Sequence, residues 1–332
     1  MRDRIAHGGG ITAAARLHGG APEDWLDLST GINPNPVAIP PVPETVWHRL
    51  PDQHLVVRAR LAAQAYYDSG DCRPLPVPGT QSVIQLLPRL VAAGKRVAVL
   101  SPTYGEYRRV FELAGFTVDA ITDLEAVTDA HGLVVVVNPN NPDGRLLTVD
   151  RLASLQRQLL GRDAWLVVDE AFGDGRLENS LAPLASTSAN LLIFRSFGKF
   201  FGLAGLRLGF VIADPSLQDR FEDWLGPWAV SGPALWLAAT VLAGDNAAIG
   251  SGIKARSEAL RQVLAQAGLS VVGGTDLFAL VADPRASAIY DELCRHHILV
   301  RKFDYATDWL RFGLTADETQ DRRLAAALSG LA

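Results

Sequence analysis

Five short apolar runs without alternating polar residues limit what this chain can fold into. They are residues 96–100, 133–137, 165–169, 191–194 and 208–213. Strands that are apolar on both faces are typical of a mainly parallel sheet covered by helices on each side. Helical spacing appears in the intervening segments 81–93, 104–114 and 149–160. The pattern predicts an open α/β fold whose ligand lies at the carboxyl ends of the strands.

Changes in composition along the chain predict three parts. Residues 1–37 are rich in glycine and turn-forming Asn-Pro pairs, and we expect them to form an arm that contributes to the active site. Residues 38–225 carry the α/β pattern of a large domain. After the turn-rich segment GPWAVSGP, residues 226–332 predict a smaller C-terminal α+β domain.

Composition excludes several classes of partner. The net charge of −5 and the lack of a long basic run argue against nucleic acid or an anionic membrane. Cys72 and Cys294 are far apart in sequence, so neither a disulfide framework nor a metal site is indicated, and a reducing cytoplasm fits. The N-terminus lacks an apolar signal region, and no apolar run approaches the roughly 18 residues of a membrane span.

The segment SFGKFFGLAGLR at 196–207 is the strongest pointer to function. Burial of Lys199 among apolar neighbours would lower its pKa towards the neutral amine that attacks carbonyls. Ser196 offers a hydroxyl and Arg207 a planar cationic fork, and both suit a phosphate oxygen. The segment therefore predicts pyridoxal phosphate bound through Lys199. The alternative is an exposed lysine on a connecting loop.

Two polar residues stand at the ends of apolar strands. Asn141, in NPNNPDG, can donate its amide to an anionic oxygen, although the same residues suit an ordinary turn. Asp169, in WLVVDEAF, needs a cationic partner if it is buried and ionised. A protonated pyridine nitrogen is such a partner, and a helix N-cap or a salt-bridged core carboxylate is the alternative.

Two further segments complete the candidate cofactor site. PGTQS at 78–82 presents the backbone N–H groups of Gly79, Thr80 and Gln81 to a phosphate, while Thr80 also suits a helix cap. Tyr104, in SPTYGEY, can stack on a pyridine ring at the edge of the crevice. Core packing is the alternative for Tyr104.

In order and approximate spacing, five segments resemble the fold type I pyridoxal-phosphate enzymes of the aspartate aminotransferase superfamily: PGTQS, PTYGEY, NPNNPDG, DEAF and SFGKFFGLAGLRLGF. The resemblance covers essentially the whole chain. It implies that Lys199 forms the Schiff base, Asp169 pairs with the pyridine nitrogen and Asn141 contacts the ring oxygen. It also implies that Tyr104 stacks on the ring and Arg311 binds a substrate carboxylate. The implied phosphate ligands are Thr80, Gln81, Ser196 and Arg207.

Two subfamilies compete within this superfamily. HGG at 7–9, LDLSTGINPNP at 26–36 and PWAVSGPA at 227–234 resemble threonine-phosphate decarboxylases of cobalamin biosynthesis. Phe172 also replaces the tyrosine usual in aminotransferases. The resemblance implies decarboxylation of L-threonine O-3-phosphate to (R)-1-amino-2-propanol O-2-phosphate. A histidinol-phosphate-type aminotransferase and a non-catalytic binding module remain as alternatives.

The expected substrate site draws on residues distant from Lys199. Arg301 lies ten residues before Arg311, so the two can face one pocket. The other expected substrate ligands are His7, Gly8, Ser29, Asn33 and Asn141, with an exposed terminal histidine as the alternative for His7. The resemblance also implies a homodimer, but Leu50 stands where the family often has a tyrosine that reaches the neighbour's cofactor.

Overall fold

The computed structural model describes Ile5 and residues 7–330. Its α-helices, numbered α1 to α12 in chain order, span Ile11–His18, Glu44–His48, Gln53–Tyr67, Thr80–Ile84, Glu106–Leu113, Val149–Leu160, Phe197–Phe200, Pro215–Leu225, Gly232–Leu242, Ala247–Gln266, Ala286–Arg295 and Glu318–Ser329. Its strands, numbered β1 to β13, span Leu26–Asp27, Leu75–Val77, Arg96–Leu100, Val118–Ile121, His131–Val137, Trp165–Asp169, Leu191–Ser196, Gly209–Ala213, Val271–Thr275, Phe278–Ala282, Ile298–Leu299, Arg301–Phe303 and Ala306–Gly313. Short 3-10 helices span Pro22–Asp24, Leu87–Leu90, Leu124–Ala126, Leu177–Asn179, Ala182–Thr187 and Ala204–Leu206.

The described chain forms two compact units. The large unit comprises Val37–Asn141 and Arg145–Ala247, and the small unit comprises the described parts of Met1–Pro36, Pro142–Gly144 and Ala248–Ala332. This packing differs from the predicted division at residues 37 and 225 in two respects. The arm packs with the C-terminal segment, because β1 pairs in parallel with β11. Residues 226–247 pack in the large unit, because α9 lies against α3.

A seven-stranded sheet forms the centre of the large unit, in the order β2-β8-β7-β6-β5-β3-β4. The strands are parallel apart from β8, which is antiparallel to both of its neighbours. The valine-rich β5 is buried along its whole length, so apolar side chains are covered on both faces of the sheet. The predicted α/β fold with a mainly parallel sheet is confirmed, and the polar motifs follow the carboxyl ends of β3, β5, β6 and β7.

Some elements of the large unit differ from the sequence-based expectation. The helix expected over 81–93 is split, because α4 ends at Ile84 and Pro88 lies in a separate 3-10 turn. The short strands β2 and β4 carry too few residues for a clear apolar run. An apolar sequence pattern predicts a strand but not its direction, so it does not predict that β8 is antiparallel to its neighbours.

The small unit is built on a four-stranded antiparallel sheet in the order β12-β13-β10-β9. Helix α11 packs against β13, and α1 and α12 pack against α11. Close backbone contact joins the arm to this sheet, since the N–H of Gly313 donates to the carbonyl of Leu28 at 2.7 Å. A Cβ at Gly313 would lie 2.2 Å from the carbonyl oxygen of Thr30, so only glycine fits there.

Both cysteines are buried free thiols. Cys72 donates to the carbonyl of Ala213 at 2.9 Å and accepts from Gln218 at 3.0 Å, and burial raises the pKa of this thiol. Among the described residues, no group of histidine, cysteine and acidic side chains is arranged to hold a metal ion. Within the same residues, every helix is too short or too polar to cross a membrane.

Candidate active site

Lys199 lies on the short helix α7, directly after β7 ends at Ser196. The side chain is half-buried, and its Nζ lies 5.6 Å from the centroid of the Phe172 ring. A Cβ at Gly198 would approach the Cα of Ala204 to 2.6 Å, so glycine allows the turn that carries Lys199 to pack closely. The predicted lysine therefore stands at the carboxyl end of a sheet strand, beside an aromatic face.

Asp169 ends β6, the strand next to β7, and is only 4% exposed. Its carboxylate accepts hydrogen bonds from the Tyr107 hydroxyl at 2.7 Å and from the Ala171 N–H at 3.0 Å. Burial raises the pKa of Asp169, whereas these two hydrogen bonds and the charge of Lys199 lower it. A further cation at this carboxylate, such as a protonated pyridine nitrogen, would favour its ionised form.

The predicted phosphate ligands lie near two glycines that leave room for them. Gly79 has φ +74°, and a Cβ there would lie 2.8 Å from Nη2 of Arg207. Gly209 is paired with Ser196, and a Cβ on Gly209 would lie 3.1 Å from the backbone nitrogen of Thr80. The structure thus brings Ser196, the backbone nitrogen of Thr80 and the Arg207 guanidinium close to these two glycines, whereas the N–H of Gly79 donates to the carbonyl of Val77 at 2.7 Å. This donor set suits a phosphate dianion, so the residues present fit pyridoxal phosphate.

Gln81 and Tyr104 form a hydrogen-bonded pair. The Tyr104 hydroxyl donates to Oε1 of Gln81 at 3.1 Å, and Nε2 of Gln81 donates to buried Glu106 at 3.2 Å. The half-buried Tyr104 ring meets the Tyr107 ring edge to face, with 6.2 Å between centroids. Tyr107 in turn binds Asp169, which links the predicted stacking residue to the predicted pyridine partner. Stacking of Tyr104 on the cofactor stays a prediction.

The loop after β5 is fixed by contacts of the two asparagines that precede Asn141. The side chain of Asn140 donates to the carbonyl of Pro102 at 2.8 Å and accepts from Thr103 at 2.6 Å. The backbone N–H of Asn138 donates to the carbonyl of Asp169 at 2.8 Å. Asn141 is half-buried in this loop. Its position is therefore set by contacts to the ends of two neighbouring strands.

Sequence reasoning missed Tyr107, Asn140 and Glu106, which orient the predicted residues. Tyr107 stands three residues after Tyr104, and its approach to Asp169 depends on how α5 packs over the sheet. Asn140 lies inside the NPNNP segment, next to the predicted Asn141. Each of these residues is a second polar side chain within a motif. Its role becomes clear only when the residue that it contacts on another element is known.

The small unit holds the predicted substrate arginines. Arg311 is buried, and its Nη2 donates to the carbonyl of Ser29 at 2.8 Å. Arg301 lies directly opposite Arg311 where β12 pairs with β13. Burial, followed by the charge of Arg301, lowers the pKa of Arg311 to about 10. The expected proximity of these two residues is therefore present within this sheet.

The start of the arm contacts Ser29, which lies later in the same arm. A Cβ at Gly8 would lie 2.4 Å from the carbonyl oxygen of Ser29, and the N–H of Gly9 donates to the Ser29 hydroxyl at 2.7 Å. Ser29 in turn donates to Asp27 at 2.5 Å. His7 is exposed at the start of this contact, and buried Asn33 accepts from the N–H of Asn35 at 3.0 Å. The arm residues remain predicted substrate ligands.

The fold, Lys199 and the buried Asp169 are the features expected of a pyridoxal-phosphate enzyme, and the family that matches the chain is of this class. The family described as aminotransferase class I and II matches residues 23–328, so the chain belongs to this family of pyridoxal-phosphate enzymes. It is 58% identical over 329 residues to a threonine-phosphate decarboxylase from Sinorhizobium sp., with 99% of each chain covered. It is 42% identical over 330 residues to a threonine-phosphate decarboxylase from Pseudomonas aeruginosa, with 98% of each covered.

More distant relatives are histidinol-phosphate aminotransferases. A histidinol-phosphate aminotransferase from Vibrio cholerae is 30% identical over 313 residues, with 87% of each chain covered. The solved structure of histidinol-phosphate aminotransferase from Sinorhizobium meliloti, in complex with pyridoxal-5'-phosphate, has a TM-score of 0.80 at 21% identity. That alignment covers all of this chain and 96% of the other. This structural likeness shows the shared fold.

Proposed function

We propose that this protein is a pyridoxal-phosphate-dependent decarboxylase of L-threonine O-3-phosphate, which yields (R)-1-amino-2-propanol O-2-phosphate for the linker of cobalamin. The Arg301 and Arg311 pair carries the proposal, because it suits a small substrate with both a carboxylate and a phosphate. The identities of 58% and 42% to threonine-phosphate decarboxylases, over nearly the whole chain, support the same function. Bound pyridoxal phosphate supplies the electron sink for loss of carbon dioxide.

Arg301 and Arg311 place two positive charges opposite each other. Directly opposed residues of antiparallel strands have Cβ atoms roughly 5 Å apart, and like charges at such positions repel each other. Arg311 is also buried, which adds a desolvation cost to its charge. A substrate that offers two anionic groups is attracted to both charges. We infer that Arg311 binds the carboxylate and that Arg301 binds the phosphate, with His7, Gly8, Ser29 and Asn33 as further donors.

The cofactor-site residues have separate proposed tasks. Asp169 holds the negative charge that favours a proton on the pyridine nitrogen, and Asn141 donates to the ring oxygen. The Phe172 ring has no hydroxyl to donate where aminotransferases usually have a tyrosine. Lys199 returns a proton to the substrate Cα after carbon dioxide leaves. Fixing the substrate anions orients the bond to the carboxylate, which is how geometry selects decarboxylation.

One assay separates the candidate reactions. The purified holoenzyme is incubated with threonine phosphate alone, and then with histidinol phosphate and 2-oxoglutarate. We expect carbon dioxide release without any keto acid, and no glutamate formation. Glutamate formation without carbon dioxide release would contradict the proposal and favour the aminotransferase. The variant Lys199→Ala, which should lose both carbon dioxide release and the visible absorbance of bound cofactor, tests the non-catalytic alternative.

We further infer a cytoplasmic homodimer. Trp47, Leu50 and Trp228 are exposed on the large unit, and Trp228 lines an apolar groove together with Pro51 and Val56. Apolar surface of this kind suits a second copy of the chain. Sedimentation should show a dimer of the wild type and a monomer of Trp228→Glu. A monomeric wild type at micromolar concentration would contradict this part of the proposal.

A further inference from the structure

Three buried charged residues that the proposed mechanism does not use lie next to the cofactor site. We propose that Arg195, Glu170 and Asp174, here called the charge trio, position Asp169 and Ser196 and set the electric field at the cofactor. The inference rests on the proposed function for the cofactor alone. It does not depend on which substrate the enzyme accepts.

An ion pair within the trio joins two neighbouring strand ends. Arg195 is fully buried, and its Nη1 lies 3.2 Å from Oε2 of Glu170. The N–H of Glu170 also donates to the carbonyl of Phe194 at 2.9 Å. Glu170 directly follows Asp169, and Arg195 directly precedes Ser196. Any shift of the pair therefore moves a residue predicted to bind the pyridine nitrogen or the phosphate.

Neighbouring groups fix both members of the pair. Glu170 accepts from the Ser180 hydroxyl at 2.6 Å and from the Leu181 N–H at 2.9 Å. The Arg195 guanidinium lies 4.6 Å from the centroid of the Tyr67 ring. A Cβ at Gly173 would approach Nη1 of Arg195 to 2.3 Å, so a glycine is needed there. The arrangement is rigid, as a positioning role requires.

Asp174 gives the trio a net negative charge. Neither of its buried carboxylate oxygens has a hydrogen-bond partner among the described residues. Burial raises the pKa of Asp174 to about 6, while the charge of Arg195 opposes that rise and the charge of Glu170 adds to it. The charge of Arg195 thus acts on both carboxylates, although only Glu170 forms an ion pair with it. With both carboxylates ionised, the trio carries one excess negative charge.

The field of the trio reaches the cofactor site. Burial is the main cause that raises the pKa of Asp169, and the charge of Glu170 raises it further. Arg195 carries the opposite charge and pairs with Glu170 at 3.2 Å. The other ionisable groups around the trio and Asp169 are Tyr66 and Tyr67 on α3, Arg176 in the loop after β6, Tyr107 on α5 and Lys199 on α7.

An apolar core would hold the strands without burying charge. Replacing a buried ion pair by apolar residues is often neutral or stabilising, so this pair is a weak source of stability. Its place between the two cofactor-binding strand ends accounts better for its presence. Glu170 and Arg195 act through Asp169 and Ser196, so they are positioning residues.

The test changes the charge of the trio in steps. Asp174→Asn and Glu170→Gln each remove one negative charge, and the double variant removes two. Removing negative charge near Lys199 should lower the pKa of the group at its Nζ in the holoenzyme. The pH midpoint of the visible absorbance change of bound pyridoxal phosphate should therefore fall by about half a unit per charge. Asp119→Asn, on the edge strand β4, removes an ionised carboxylate elsewhere and should leave this midpoint unchanged.

A second measurement addresses positioning. Arg195→Lys keeps the charge but loses the fork, so we expect an unchanged midpoint and a several-fold higher dissociation constant for pyridoxal phosphate. Thermal unfolding of each apoprotein reports whether the variant is folded. Unshifted midpoints in folded Asp174→Asn and Glu170→Gln, or an equal shift in Asp119→Asn, would overturn the inference. Because no substrate is present, failure here is distinct from failure of the decarboxylation assay.

Discussion

At the scale of single residues, Asp169 shows how the surroundings decide whether a buried carboxylate stays charged. Burial raises the pKa of Asp169, while the hydrogen bond from the Tyr107 hydroxyl and the charge of Lys199 lower it. The charged form depends on a few donors, each of which can be removed singly. A loss of any one donor moves the pKa of Asp169 upwards.

Tyr107→Phe tests this dependence. Loss of the hydroxyl at 2.7 Å should raise the pKa of Asp169, so the low-pH loss of activity should move to higher pH. A charge-assisted hydrogen bond contributes about 1.5 to 3 kcal/mol, which predicts a rate roughly ten- to a hundred-fold lower near the acid limb. The measurement is kcat/KM for threonine phosphate against pH. Tyr290→Phe, in the small unit, is the control, and the same acid limb in Tyr107→Phe and wild type would refute the prediction.

Arg301→Ala tests the proposed phosphate ligand. The variant should lose selectivity for phosphorylated over plain threonine by about 1.5 to 3 kcal/mol, the scale of one charge-assisted hydrogen bond. The measurement is the ratio of kcat/KM values for the two substrates. Arg285→Ala removes a half-exposed cation paired with Asp283 in the same unit and should keep the ratio. An unaltered ratio in Arg301→Ala would show that the phosphate binds elsewhere.

At the scale of elements, the sequence predicts strands better than it predicts their partners. β3 and β6 occupy the predicted residues 96–100 and 165–169, because an apolar run is a local signal. The pairing of β8 and the contact between Glu170 and Arg195 arise only when separate strands meet. Lys199, Asp169 and the proposed phosphate ligands each sit in a local motif, so the sequence alone is enough to propose them. Tyr107 and the charge trio depend on neighbours that lie far away in sequence.

The turn before α4 allows a test of backbone geometry. Gly79 and Gly94 both have positive φ, but only Gly79 has Arg207 close to the position of a Cβ. Alanine at either position should destabilise the protein by about 1 kcal/mol through backbone strain. Only Gly79→Ala should also weaken binding of pyridoxal phosphate, by displacing Arg207. Urea unfolding and cofactor titration separate the two effects, and equal affinities in both variants would contradict the phosphate assignment.

At the scale of the whole molecule, an ion pair far from the motifs bears on stability. Asp119 on β4 binds Arg96 and also lies 3.0 Å from Nε2 of His131. The hydrogen bond from Arg96 is the main cause that lowers the pKa of Asp119 to about 2. Since the folded-state pKa is depressed, this stabilisation is present above about pH 4 and is lost as the pH falls towards 2.

Asp119→Asn should therefore lower the free energy of unfolding at neutral pH. We expect a loss of about 1 kcal/mol at pH 7, since the pair is partly screened by solvent, and a smaller loss at pH 3. Urea unfolding of the apoprotein at both pH values measures the difference. Asp129→Asn breaks an exposed ion pair with Arg162 and should change stability by less than about 0.5 kcal/mol. A loss in Asp119→Asn that does not depend on pH would contradict the assigned pKa.

The parallel pairing of β1 with β11 has a consequence for synthesis on the ribosome. Leu26 pairs with Ile298, so the arm emerges roughly 270 residues before its partner strand is made. Contacts so distant in sequence carry a large loop-closure cost and form late. The large unit can fold before the partner strand of the arm has been synthesised. Ser29 can therefore meet Arg311 only after almost the whole chain has been translated.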